Sequence, residues 1–428
     1  MRIFFKSGHR LPDKNGSFHC TIVNDYESSD YWRWICRIGC GVLFVQSRTR
    51  CYGFEKDNQP GGLAVGFKDP KWDWPLEKHY HHLFTTDTVI KELADEIGHP
   101  IDYYRPKTST WIDNMITQLD SPLSLLTFSH LSIIDRLRTA FALALMRFNP
   151  IYKPFEWFTA KKYITTLMGN RPWKKLWEPL FIGKFGKYAG EVSAVWFYGR
   201  IRPRSASLAY PRGGFLTLAE SLESAAKKNG AKFIYNKSVS SLSELKKFDK
   251  IVCTLPTALF SRISGLHYPP LPGLGAVNLV LALNQQFLTD STYWLNINDR
   301  NMPFVCVTEH TNFIGSSHYG GDNLLYVGNY LPSDHPYYTY SDTQLLTKFL
   351  PYLRKINPEF NKTWIRKSWL WTAPFAQPVV LLNHYIPPMT TSIPNVYLAN
   401  IQQVYPWDRG TNGAIELGRK VSELICQK

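Results

Sequence analysis

The sequence predicts an α/β protein of the α+β two-domain kind, an open α/β sheet joined to a second unit with its own mixed sheet and helices. Three observations predict it. A helical stretch, Leu216 to Asn229, stops at Gly230 and is followed by a short strand, Lys232 to Tyr235, and then by an apolar strand, Lys250 to Leu255, ended by Pro256. Helix followed by strand, with a buried strand soon after, is the order of an open α/β sheet. Apolar runs at Leu274 to Leu283 and Leu324 to Asn329 supply strands for the second sheet. The length of 428 residues corresponds to two or three domains at roughly 150 residues each.

The other elements follow in chain order. Asp87 to Gly98 (DTVIKELADEIG) begins with Asp, carries apolar residues at helical spacing and ends with Gly, so a capped amphipathic helix is expected. A second helix is expected over Ser132 to Phe148. Phe155 to Arg204 is rich in Trp, Phe, Tyr, Lys and Arg without sustained periodicity, and reads as irregular helices lining a pocket. Tyr210 to Phe215 (YPRGGF) reads as a turn. Asp342 to Ile356 reads as a helix closed by Asn357 and Pro358, and the tail as a strand (Val396 to Ala399), a loop and a helix from about Thr411 to Cys426.

With 49 Lys and Arg against 34 Asp and Glu, and 44% hydrophobic residues, the chain is neither disordered nor fibrous. Its charge of +15 is spread over helix faces, so a solvated surface and no nucleic-acid partner are expected. Around Lys161 to Lys187 aromatics alternate with Lys and Arg, and a peripheral contact with anionic lipid would suit that patch. No stretch approaches the roughly 18 to 20 uncharged apolar residues that span a bilayer. Lys6, His9, Arg10, Asp13 and Lys14 stand where a signal peptide would be apolar. A cytoplasmic protein, peripheral at the membrane at most, is expected.

Four of the 7 cysteines, Cys20, Cys36, Cys40 and Cys51, fall in the first 54 residues. A zinc site or disulfide cap fits poorly, because no second pair follows Cys36 and Cys40 at ribbon or finger distance. His79, His81 and His82 leave three readings open: packing, the lining of a cavity, or a metal pair. The metal reading lacks a carboxylate or cysteine partner, and no metal is expected.

Three segments carry a family resemblance: Phe54 to Ala64 (FEKDNQPGGLA), Tyr210 to Leu222 (YPRGGFLTLAESL) and Ala399 to Leu417 (ANIQQVYPWDRGTNGAIEL). In this order they resemble the FAD-dependent amine oxidase superfamily, in particular its protoporphyrinogen-oxidase-like and phytoene-desaturase-like branches, over nearly everything after residue 54. The resemblance implies a Rossmann-like FAD-binding domain from residues 55–98, 205–265 and 395–428, with an inserted substrate domain from 99–204 and 266–394. It implies FAD as cofactor and assigns its contacts. Glu55, ending the second strand, would accept the ribose hydroxyls of the adenosine. Gly61 and Gly62 would let backbone approach the cofactor, with Leu63 where many relatives have Arg. Val239 would contact adenine through its backbone, and Thr254 and Pro256 would pass near the cofactor at the sheet's carboxyl edge. In the third segment stand Asp408, Gly413 and Ala414, the last two opening a helix whose N–H groups and dipole would stabilise negative charge on the flavin pyrimidine ring.

Such a protein should begin with strand, G-x-G-x-x-G and helix, with its acidic residue about 20 residues on. Counting back from Glu55 places the loop near residue 32, where DYWRWICRIGCGVLFVQSRTRCYGFE has no glycine loop. The motif exists one base out of register. Tryptophan has the single codon TGG, so Trp32 and Trp34 each force a glycine in the shifted frame, and Arg37 followed by Ile38 permits a third. The same frame permits Ile-Ile at Asp30 and Tyr31, a strand end, then a helix and a second strand running into Glu55. Residues 1 to about 54 are therefore expected to be a wrong-frame segment, which accounts for the crowded cysteines.

The expected activity is two-electron oxidation or desaturation of a small-molecule substrate. The aromatic middle, with Trp157, Trp173, Trp177, Trp196 and Phe197, suits a flat or long apolar molecule, although such residues also build cores. No catalytic acid or base stands out. Two alternatives are a non-catalytic remnant, in which bulky side chains replace the glycine loop, and an enzyme using flavin for redox-neutral isomerisation.

Overall fold

The structure is a computed structural model and describes residues 19–23 and 50–427. Positions 32, 34 and 37, and the helix expected after them, lie outside the described residues. Strands β1 (His19–Val23) and β2 (Arg50–Phe54) pair in parallel, with Ile22 opposite Gly53. This first strand ends at Val23, and the strand end expected at Asp30 and Tyr31 lies outside the described residues. In the frame as written, Cys20 to Val23 is the apolar, β-branched run, whereas residues 24–31 (NDYESSDY) are mostly polar.

Helix α1 (Thr88–Glu96) has Asp87 at its cap position, but the Asp87 carboxylate accepts from the Phe84 N–H at 2.8 Å and from no helix N–H. Helix α2 (Pro122–Leu126) opens with a reciprocal cap between Ser121 and Ser124. Ser132 caps α3 (Ile133–Phe148) by accepting from the Asp135 N–H at 3.2 Å. Short helices follow up to Arg204 as expected, among them α4 (Glu178–Phe185) and α5 (Ala194–Ile201). The YPRGGF segment is a turn only in its middle. Leu208–Pro211 is a strand paired with Ile101–Tyr104, and α6 (Gly214–Lys228) begins as soon as Gly213 and Gly214, with φ of 83° and 85°, have reversed the chain.

The remaining elements are β3 (Lys232–Ile234), β4 (Lys250–Cys253), β5 (Gly273–Leu283), β6 (Asn323–Leu331), α7 (Asp342–Ile356), β7 (Ile365–Pro378), β8 (Val396–Leu398) and α8 (Thr411–Cys426). The first sheet has the order β3-β2-β1-β4-β8 and is parallel throughout. All its carboxyl ends therefore lie along one edge, where open α/β sheets bind ligands. The second sheet has seven strands in the order β7, β5, β6, Cys306–Glu309, Thr292–Ile297, Lys107–Ile112, Met115–Gln118. Its neighbours are antiparallel except Thr292–Ile297 and Lys107–Ile112, so the sheet is mixed as expected.

Strand β5 is buried along its length after Gly273. Leu279, Leu281 and Leu283 belong to one cluster with Leu345, Phe349 and Leu353 of α7, while Val280 and Ala282 belong to another with Tyr326 and Trp72. Each of these leucine, valine and phenylalanine side chains stabilises the fold by roughly 1.5–3 kcal/mol on burial. No described helix is long and apolar enough to cross a membrane.

Candidate active site

The carboxyl edge of the first sheet gathers several of the expected residues. Glu55 follows β2 directly and is buried, and its carboxylate accepts from the Asp57 N–H at 3.1 Å. Its backbone continues the pairing with the next strand, donating to the Ile234 carbonyl and accepting from the Lys237 N–H at 2.9 Å, which brings the 235–239 segment alongside. Val239 is buried among Phe54, Cys253 and Leu398. Thr254 and Pro256 are buried just beyond β4, where Asn400 donates to the Leu255 carbonyl at 2.7 Å and ties β8 to the same edge.

Gly61 and Gly62 form a tight turn, with φ of 134° at Gly61. A Cβ added at Gly61 would stand 2.7 Å from the Val65 Cα, so the position excludes any side chain. The turn delivers Leu63 to the wall of a cavity of about 1460 Å³. Gly410 to Gly413 also line it, at the start of α8. Ala414 does not. Its N–H bonds back to the Gly410 carbonyl at 3.3 Å, so the N–H groups without an intrahelical partner are those of Thr411, Asn412 and Gly413, and the helix starts at Thr411 as expected.

The second sheet and the helices before Arg204 supply much of the remaining wall. Trp177, Phe181, Trp196, Phe197, Trp294 and Tyr330 supply aromatic walls. Gly199 of α5 packs against the loop before α8 so closely that a Cβ there would meet the Pro406 carbonyl at 2.1 Å. That approach sets Asp408 among cations. Its carboxylate accepts from Arg200 at 2.6 Å, from the Trp196 indole at 3.3 Å and from the Arg409 N–H at 3.1 Å, with the Lys184 Nζ at 4.0 Å. Burial acts to raise the Asp408 pKa, but Lys184, Arg200 and Arg409 outweigh it and hold the carboxyl well below the usual range. Burial pushes Lys184 well below the usual lysine range, with Asp408 opposing and Arg200 and Arg409 adding to the shift.

Beside this cluster runs a hydrogen-bonded chain. Arg409 donates to the Tyr330 hydroxyl at 3.0 Å, the Tyr80 hydroxyl donates to Tyr330 at 3.2 Å, and the Cys306 thiol donates to Tyr80 at 3.3 Å. Burial pushes that thiol up to about 11, so it stays protonated. His79, His81 and His82 all line the cavity. Among the described residues no group of three His, Cys, Asp or Glu is arranged to hold a metal. His79 Nδ1 accepts from Asn278 at 2.5 Å, which leaves the proton on its Nε2, a buried atom with no partner. Burial holds His79 at about 3, so the ring is neutral.

Asp408 and Gly413 are thus the expected residues that the structure brings into the cavity. Glu55, Gly61, Gly62, Val239, Thr254, Pro256 and Ala414 do not line it. Lys184, Arg200, Tyr330 and Tyr80 were not singled out from the sequence, and no local pattern marks them, because burial and partners far along the chain give them their character.

The family described as flavin containing amine oxidoreductase matches residues 54–426. The chain belongs to the flavin-containing amine oxidoreductase family. Solved structures share its fold. A candidate protoporphyrinogen oxidase from Exiguobacterium sp. 255-15 is 13% identical, with a TM-score of 0.71 over 96% of this chain and 99% of that one. A reduced UDP-galactopyranose mutase is 11% identical, with a TM-score of 0.72 over 96% and 95%. Cyclohexylamine oxidase from Brevibacterium oxydans IH-35A is 13% identical, with a TM-score of 0.65 over 96% and 99%. A search of curated protein sequences finds no match.

As a flavin-containing amine oxidoreductase the chain is an oxidoreductase with FAD as its cofactor. Two features of this structure fit that group. The first turn of α8 presents N–H groups to the cavity, and the His79 Nε2 proton has no partner there.

Proposed function

We propose that this flavin-containing amine oxidoreductase oxidises or desaturates an apolar or aromatic small molecule held in the cavity. The observation that carries this reading is the continuity of the cavity, from the N-terminus of α8 to the aromatic walls of the second unit. Its volume of about 1460 Å³ exceeds the roughly 300–1,000 Å³ of a pocket for one drug-sized ligand. A flavin ring and a substrate both have room.

FAD supplies the electron acceptor when bound. The chain's own residues do the rest. Glu55 and the Gly61–Gly62 turn would hold the adenosine end, and the Thr411–Gly413 N–H groups would favour negative charge at the other. Trp196, Phe197 and Tyr330 orient a flat substrate and exclude water. Lys184, an amine disfavoured as a cation, is the group placed to take a proton, with Asp408 fixing the Arg200 beside it. Anaerobic mixing of the purified protein with amines and reduced ring compounds tests the reading. Substrate-dependent bleaching of the flavin supports it, and turnover only with pre-reduced flavin, without net bleaching, would assign the site to an isomerase. The lining by Lys184, Arg200, Arg204 and Arg409 favours that second reading where the substrate is an anion.

The out-of-frame segment is a further part of the proposal, supported by a family match that begins at residue 54. Resequencing the gene across residues 25–56 tests it. Triplets at Tyr31 and Arg37 that do not give isoleucine and glycine in the shifted frame would sink it.

A further inference from the structure

Helix α3 is apolar on three sides. Thr139, Ala142 and Met146 are buried, and Ala140, Leu143 and Ala144 line the cavity. A third set, Ile133, Ile134, Leu137, Phe141, Leu145 and Phe148, is exposed, with Phe141 at 60% and Phe148 at 79%. At about 100° per residue this set occupies one continuous arc of about 120°. Leu123 and Leu126 of the adjoining α2 are exposed as well, as are Ile151 and Trp157 in the segment that follows α3. A contiguous apolar face of this extent marks a surface that something covers.

The charges around it say what covers it. Residues 121–177 hold nine Lys and Arg and two acidic residues. On the helix, Arg138 borders one flank of the stripe, and Arg136 and Arg147 border the other. Lys161, Lys162 and Lys174 are exposed and make no ion pair among the described residues. An apolar stripe between rows of cations complements an anionic lipid surface, whose acyl boundary takes the side chains and whose headgroups take the charges. A second copy of the same chain would bring like charges together.

We propose that the exposed face of α2 and α3 docks on an anionic bilayer and sets the cavity mouth against it. Phe148 and Arg147 belong both to the exposed surface and to the cavity lining, so the mouth and the docking face share a rim. The lipid contact expected around Lys161 to Lys187 thereby moves onto α2 and α3, with those lysines as its basic border. The docking does not depend on the flavin reading, because it is measured without turnover.

The test is flotation of the full-length protein with vesicles of phosphatidylcholine alone and of phosphatidylcholine with phosphatidylglycerol. The protein is expected to float with the anionic vesicles and about tenfold less with the neutral ones. Phe141→Glu with Phe148→Glu should cut anionic binding by at least about tenfold with an unchanged circular dichroism spectrum. Leu123→Ser with Trp157→Ser, on other elements, should act in the same direction. A protein that stays unbound with both lipids overturns the proposal, and so does equal binding by the wild type and the Phe141/Phe148 variant. A lipid-free dimer that Phe141→Glu dissolves, with no vesicle binding, would assign the face to a second copy and also overturn it.

Discussion

Lys184 shows how much of this site is made by distance along the chain. Its Nζ lies 5.2 Å from the ring centres of both Trp196 and Tyr330 and 4.0 Å from Asp408, and burial is the first cause of its depressed pKa. Lys184→Met keeps the stem and removes the amine, so stability should change by less than about 1 kcal/mol. If the amine takes a proton in the reaction, kcat falls by about 10²- to 10⁴-fold. Unchanged turnover in that variant would show that Lys184 only packs. Asp408→Asn is expected to cost about 3 kcal/mol in urea unfolding, because it leaves Arg200 and Arg409 without their counter-charge; a loss under about 1 kcal/mol would contradict that role. Gly61→Ala should lower FAD affinity and stability together, by about 1–3 kcal/mol in the latter, since the added carbon meets backbone. The turn at Gly61 and the helix start near Gly413 could be read from the sequence because their signals are local, glycines where the chain turns. Lys184 could not, since nothing in GKFGK distinguishes one lysine from the other.

Elements with a clean period were legible. Helix α7 spans the expected Asp342–Ile356 because its apolar residues recur at helical spacing and Ser341 and Gln344 cap each other. Leu281→Ala in β5 opens a cavity against α7 and should cost about 2–5 kcal/mol, read from the urea midpoint. A cost below about 1 kcal/mol would mean that the two elements do not share a packed core. Strand β7 escaped sequence reading although it runs for 14 residues. Its residues are mostly half-buried, it contains Pro374, and its charges resemble those of a surface loop. In the structure those charges are paired, Arg366 to Asp322 at 2.6 Å and Lys367 to Asp69 at 3.1 Å, while Trp369 and Trp371 pack on Phe67 with ring centres 5.0 Å away. Partners far along the chain turned a loop-like sequence into a strand.

Across the whole molecule, buried titratable groups set the response to acid. Burial holds His79, His81, His82 and His310 at about 3, 4, 3 and 3, against an ordinary value of 6.5. The unfolded chain therefore binds more protons there, and stability present above pH 6.5 is lost as pH falls toward those values. Glu77 and Glu309, pushed up to about 7 by burial, and Asp87, pushed up to about 6, act oppositely, their stability being present below their ordinary values of 4.5 and 3.8 and lost as pH rises through the raised ones. Four histidines outweigh three carboxyls, so unfolding free energy should rise between pH 5 and pH 6, by on the order of 1 kcal/mol. Greater stability at pH 5 would contradict this balance.

At the same scale, the fold and the cofactor class were legible after residue 54, where three segments kept the order of the family. The strand His19–Val23 was not, because that part of the chain was read in the alternative frame, whose strand end at residues 30–31 lies outside the described residues. The central claim is that this sheet edge and cavity hold FAD. Its most direct measurement is the visible spectrum of the protein purified from its own gene, with the released flavin counted against protein. The account predicts a yellow protein carrying FAD near one per chain, and a folded, colourless protein that takes up no added FAD would contradict it.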